Sequence, residues 1–149
     1  MMEKVKLAVM SFFLYMTVEF AFNTAFEALT GGRLFSYFLL PLADGKTSLL
    51  SPLIFAVIVL LLFDAFQSAY KSVKGYHNRV LFVGVAVALL GPFYEWLSGV
   101  IIRMTTGTAY SIYLFLPVLE GYTSLFSPVY FFVVGVAFVY ACRWLKLLD

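Results

Sequence analysis

Charge is the scarcest property of this sequence. Only 12% of the residues are Asp, Glu, Lys or Arg, whereas 63% are hydrophobic and 19% aromatic. An ordinary soluble domain is about 25% charged, so too little charge is present to coat a water-facing surface, and lipid is the expected surroundings. Cysteine is equally rare: Cys142 stands alone and forms neither an intrachain disulfide nor a Cys-rich metal framework. The single histidine, His77, lies beside Asn78 and Arg79 and reads as a solvated loop residue. No metal or other cofactor is therefore expected. Ten Lys and Arg are scattered along the chain with a net charge of +2, which offers no basic face and argues against a nucleic-acid partner. HExxH, GxSxG and Walker A motifs are all missing, so the chain reads more readily as a non-enzyme than as an enzyme.

What the sequence has in quantity is apolar run length. Residues 7–29, 49–70, 80–102 and 125–144 are each long enough to cross a bilayer as a helix, the form that satisfies its own backbone hydrogen bonds in lipid. The expectation is an all-α, multi-pass membrane protein, with residues 1–149 forming one integral domain of four transmembrane helices. Seven basic residues, Lys4, Lys6, Lys71, Lys74, Arg79, Arg143 and Lys146, fall on one side of these spans. The positive-inside rule then puts both termini in the cytoplasm. The outer connections, about 32–47 and 105–123, contain the apolar segments 34–42 and 110–119, too short to cross. They are expected to lie in the interface or to re-enter the bundle.

The chain also repeats itself. Pro41-Leu42-Ala43-Asp44-Gly45-Lys46-Thr47-Ser48-Leu49-Leu50-Ser51-Pro52 matches Pro117-Val118-Leu119-Glu120-Gly121-Tyr122-Thr123-Ser124-Leu125-Phe126-Ser127-Pro128 at seven of twelve positions. The same offset of 76 residues carries Glu19 onto Glu95, Glu27 onto Arg103 and Tyr37 onto Tyr113. With two spans in each half, repeats at about 7–70 and 80–146 insert in the same orientation, related by a pseudo-twofold axis along the membrane normal. Asp44-Gly45 and Glu120-Gly121 read as turn dipeptides, and Thr47, Ser48, Thr123 or Ser124 as caps of the following helix.

Ionisable groups inside a span cost roughly 2.5–3.5 kcal/mol each on insertion scales and normally face protein or water. Glu19, Asn23 and Glu27 recur every four residues and form one stripe on the first span; Glu95, Gly99 and Arg103 are their equivalents on the third, with Ser98 alongside. Two readings stand. In one, Glu19, Asn23, Glu95 and Ser98 line a proton, cation or ligand site where spans one and three meet, with Gly99 permitting close approach and Glu27 pairing with Arg103. In the other, the same groups hold the helices together through hydrogen bonds.

The segment Tyr94-Glu95-Trp96-Leu97-Ser98-Gly99-Val100-Ile101-Ile102-Arg103, with Tyr110-Ser111, resembles a family of small multispan proteins labelled ABC-transporter type IV permeases, whose animal relatives are the transmembrane protein 229 group. The likeness includes Val18-Glu19-Phe20 and Phe26-Glu27, and reaches Leu34-Phe35-Ser36-Tyr37, where Phe35 and Ser36 replace the Trp and Asp of many members. The resemblance implies a polytopic bundle and a permease-like function. As the chain has no Walker A motif, any ATPase is a separate subunit. The expected function is thus a permease-like or transport-associated membrane subunit. Its expected partners are membrane lipid and a second copy or a larger membrane complex. The alternatives are a structural or regulatory subunit without transport, or a lipid-modifying intramembrane enzyme.

Overall fold

The computed structural model describes residues 2–148. Four helices dominate it: α1 (Met2–Thr30), α2 (Leu50–Ser72), α3 (Tyr76–Thr106) and α4 (Ser127–Trp144), each long and apolar enough to cross a membrane. Much of their outward surface is apolar and exposed, as at Val9, Leu61, Leu89 and Leu97. A water-soluble domain rarely leaves so much apolar surface uncovered, whereas lipid tails accept it.

The two long helices α1 and α3, which precede the strand-bearing connections, stop in the same way. Gly31 and Gly107 follow their last turns with φ of +74° in each case, and their N–H groups bond back to Glu27 O and Arg103 O at 2.9 Å. This left-handed cap is open to glycine without penalty. After α1 and α3 the chain turns back as strands, a local structure that the apolar composition of 34–42 and 110–119 did not specify. Strand β1 (Phe35–Tyr37) pairs antiparallel with β4 (Ser111–Tyr113), joining the two connections to each other. Strands β2 (Pro41–Leu42) and β3 (Thr47–Ser48) form one hairpin, β5 (Pro117–Val118) and β6 (Thr123–Ser124) a second, with a single 3-10 turn at Leu119–Gly121 in the latter. The physical reason is alternation. In both β1 and β4 the outer two residues are buried and the middle one half-buried, the period-two pattern of a strand with one covered face.

The Asp44-Gly45 and Glu120-Gly121 dipeptides do make turns. Ala43, Asp44 and Gly45 have φ of +48°, +59° and +81°; Leu119, Glu120 and Gly121 have +50°, +61° and +84°. Serine hydroxyls close local bonds ahead of the next helices: Ser48 Oγ accepts from Ser51 N at 3.0 Å at the start of α2, and Ser124 Oγ accepts from Phe126 N at 3.0 Å just before α4. The N-cap positions themselves are Leu49 and Phe126, without a side-chain cap bond, so none of Thr47, Ser48, Thr123 or Ser124 stands at an N-cap.

The helices do not pack evenly. Helix α4 lies close on α3 because small residues face it: a Cβ at Gly91 would fall 2.0 Å from the Phe131 ring, and one at Gly84 2.6 Å from Phe132. Helix α1 packs chiefly on α2 and α4, and α2 touches α3 only sparsely. The buried core runs through the bundle in three clusters, one near the chain termini around Leu7, Tyr70 and Val139, a middle one around Tyr15, Tyr130 and Phe131, and one under the strands of Leu34, Phe35, Tyr37, Tyr110 and Tyr113.

Candidate functional site: two buried carboxylates under the outer strands

Glu19 is 1% exposed and Glu95 5%. The turn spacing of α1 aims Glu19 at the underside of the first connection, where three hydroxyls meet it. The Tyr37 hydroxyl donates to Oε1, Ser51 Oγ donates to Oε1 at 2.9 Å, and Thr47 Oγ1 donates to Oε2 at 2.8 Å. Glu95 receives the corresponding set: the Tyr113 hydroxyl on Oε1, with Thr123 Oγ1 at 3.0 Å and Ser127 Oγ at 2.9 Å on Oε2. Each donor lies 76 residues after its counterpart, as do the acids themselves. Every acid thus ties four elements together: α1, β1, β3 and α2 in one case, α3, β4, β6 and α4 in the other.

The chemistry of the shells is narrow. A carboxylate offers about four acceptor sites and no donor, and three hydroxyl protons fill most of them. Among the described residues no ion pair reaches either acid; the salt bridges all lie at the outer surface. Nor do any three His, Cys, Asp or Glu residues among them gather in a group able to hold a metal. Burial, and then the neighbouring carboxyl, push the Tyr37 and Tyr113 phenols well above the usual range, which keeps both as donors.

The other residues singled out by sequence fall elsewhere. Asn23 is fully buried and clamps β1 onto α1: its Nδ2 donates to Phe35 O at 2.9 Å and its Oδ1 accepts from Leu34 N at 3.0 Å. Ser98 donates to Glu95 O, its own helix backbone, at 3.0 Å and lies 3.4 Å from the Tyr110 hydroxyl. Gly99 packs on the Tyr122 ring, 2.5 Å from where a Cβ would sit, and so serves the second connection and not a contact between α1 and α3.

The pairing of Glu27 with Arg103 is replaced by two separate latches. Glu27 binds Lys46 Nζ at 2.6 Å and Arg33 Nε at 3.5 Å, while Arg103 binds Glu120 Oε2 and the Tyr122 hydroxyl, each at 3.0 Å. Arg33 in turn bonds the Asp44 side chain and, at 2.7 Å, its carbonyl. Each helix end is held by the turn that follows it in the chain, which sequence proximity brings within reach first. Lys46 and Tyr122 are equivalent positions, so the charge inversion from Glu27 to Arg103 is matched by replacement of a cation with a phenol oxygen.

The tyrosine, threonine and serine partners of the acids are residues that the sequence alone did not assign to them. A signal for them existed. Tyr37, Thr47 and Ser51 are identical to Tyr113, Thr123 and Ser127 at the same offset that matches the two glutamates.

The arrangement defines a small polytopic membrane protein, built on four apolar helices and capped by strands that two buried acids hold down. No family model, curated protein or solved structure matches the chain.

Proposed function

We propose that this chain is a transport-associated membrane subunit with a structural or regulatory role, in which Glu19 and Glu95 anchor an outer cap. In this reading the halves, about 7–70 and 80–146, are same-orientation repeats about a twofold axis along the membrane normal, and both termini are cytoplasmic. The observation that carries it is the pair of matched, closed hydroxyl shells. A carboxylate whose lone pairs are filled by Tyr, Thr and Ser of its own half has little room for a passing ion and is well suited to fixing a hairpin on a helix. The resemblance of residues 94–103 to the type IV permeases accords with a subunit that works beside a separate ATPase.

The test has two arms. Glu19→Gln and Glu95→Gln set an amide donor against hydroxyl donors, so each lowers the melting temperature of the purified protein and speeds hydrogen exchange in residues 35–48 or 111–124. Crosslinking in native membranes returns a larger partner; recovery of the monomer or homodimer alone overturns the subunit reading. A second reading, a proton- or cation-coupled permease, is favoured by one fact: neither buried acid has a cationic partner among the described residues, an expensive state inside a span. Ion flux in liposomes carrying the protein alone, abolished by Glu19→Gln at unchanged folded yield, selects this second reading.

A further inference from the structure

The charges on the two longest helices mark out a layer. On α3, Arg79 and Arg103 are 24 residues apart, about 36 Å at 1.5 Å per residue. On α1, Lys6 and Glu27 are 21 residues apart, about 32 Å. Between those levels neither helix carries a charged residue other than the buried Glu19 and Glu95. Each interval matches a hydrocarbon layer about 30 Å thick.

Helix α4 does not fill that layer. From Ser127 to Arg143 it advances 16 residues, about 24 Å. It also starts low, because Ser127 Oγ donates to Glu95, eight residues before Arg103 on α3, a depth of about 12 Å. Helix α2 starts at the matching depth, with Ser51 bonded to Glu19, eight residues before Glu27. The hairpins take the place of the missing turns. Thr47 bonds Glu19 while its neighbour Lys46 reaches Glu27; Thr123 bonds Glu95 while Glu120 reaches Arg103. Each hairpin therefore stands alongside the last turns of α1 or α3 and not beyond them.

Its surface fits that position. Phe38, Leu40 and Leu49 are exposed, and so are their equivalents Leu114, Leu116 and Leu125. Backbone bonds of 3.1 Å, from Leu49 N to Leu40 O and from Leu125 N to Leu116 O, hold each leucine pair side by side. Leu40 and Leu116 have φ of +47° and +44°, a conformation that Asn or Gly adopts more readily in a turn facing water. Lipid offers backbone groups no partner, and several exposed donors are closed internally. Phe38 N and Leu39 N bond Tyr110 O, Leu114 N and Phe115 N bond Leu34 O, and Pro41 and Pro117 have no N–H to leave unpaired. Charge is kept to the tips, at Asp44 and Glu120.

We propose that both hairpins are immersed in hydrocarbon at the capped end of the bundle, where Phe38, Leu40 and Leu49, with Leu114, Leu116 and Leu125, form a docking surface for lipid acyl chains. The surface continues the apolar belt of the helices. The charged tips then stand at the headgroups, with Glu19 and Glu95 about 12 Å beneath the Glu27 and Arg103 level. Acyl chains on this side pack directly on the elements that fill the carboxylate shells.

Nitroxide scanning of the full chain in phosphatidylcholine nanodiscs, one copy per disc, tests the depth. Labels go on Leu40→Cys, Leu49→Cys, Leu116→Cys and Leu125→Cys, with Leu61→Cys and Leu89→Cys as lipid references and Lys74→Cys as the water reference. Cys142 is buried and stays unlabelled. Collision with oxygen, which concentrates in lipid, exceeds collision with an aqueous nickel chelate at the four hairpin positions by the margin found at Leu61 and Leu89. A phosphatidylcholine bearing a diazirine midway along one acyl chain reads the unmodified protein, so the outcome does not depend on the variants folding; its crosslinks fall at residues 38–40 and 114–116 as well as on the helices. Nickel contact at Leu40 and Leu116 equal to that at Lys74 would put the hairpins in water, and shielding from both reagents would mean that protein covers them. Either result, or crosslinks confined to the helices, overturns the proposal.

Discussion

Ser36 pairs with Ile112 across β1 and β4, and each is the central residue of its strand. The two occupy equivalent positions at the offset of 76 residues. The flanking pairs, Phe35 with Tyr113 and Tyr37 with Ser111, exchange the equivalent positions reciprocally. Phe38 N bonds Tyr110 O and Leu114 N bonds Leu34 O, both at 2.8 Å, which is the same exchange in hydrogen bonds. A contact in which i meets j and the equivalent of j meets the equivalent of i supports the twofold relation proposed for the two halves. Tyr37 and Tyr113, which flank the central pair, bond Glu19 and Glu95, so the β1–β4 pairing both joins the two connections and covers the acids.

Tyr37→Phe and Tyr113→Phe each remove one of the three donors on a buried carboxylate. The expected loss is about 1–3 kcal/mol of stability per substitution, read as a lower melting temperature in detergent. Because the shells belong to different halves, the two losses should add; strong non-additivity would show that the acids act as one coupled network.

Glu27 and Lys46 should show a favourable coupling in a double-mutant cycle, small as exposed ion pairs are, while Glu27 and Arg103 should show none. Accordingly Glu27→Arg is rescued by Lys46→Glu, and Arg103→Glu does not rescue it. Folded yield in membranes is the measurement, and rescue by Arg103→Glu would refute the latch assignment.

The spans, the turns and the glutamates were legible in the sequence because each rests on a local cause: apolar run length, a turn dipeptide, a charge inside a hydrophobic segment. The strands were not, since residues 34–42 and 110–119 are apolar enough to suit an interface, and the β1–β4 pairing joins residues far apart in the chain. Nor was the destination of Asn23. Its place on the stripe with Glu19 and Glu27 suggested a shared site, yet helical spacing specifies a face and not what covers it. That face meets a strand whose backbone groups need partners, and an amide can satisfy both a donor and an acceptor.

Asn23→Leu tests that account. The substitution keeps volume but leaves Phe35 O and Leu34 N unpaired in a fully buried setting, at roughly 1–3 kcal/mol for each group. Folded protein should fall more steeply than for Ser98→Ala, since the Ser98 hydroxyl bonds an α3 carbonyl at 3.0 Å and only approaches Tyr110 at 3.4 Å. Equal effects of the two substitutions would mean that the clamp contributes no more than the Ser98 contacts.

Gly91 sets the asymmetry of the bundle. Its equivalent in the first half is Tyr15, so only α3 has the gap into which Phe131 of α4 settles, 2.0 Å from where a Cβ would stand. Gly91→Ala must displace that ring, and overpacking of this kind costs about 1–3 kcal/mol. Phe131→Leu alone leaves space beside Tyr94 and Tyr15 and is destabilising too, by loss of packing. Combined, the added methyl occupies part of the space the ring vacated, so the double variant should be more stable than the sum of the singles predicts. Melting temperatures of the four proteins close the cycle. Strict additivity would show that α3 and α4 are held together by something other than the contact at Gly91.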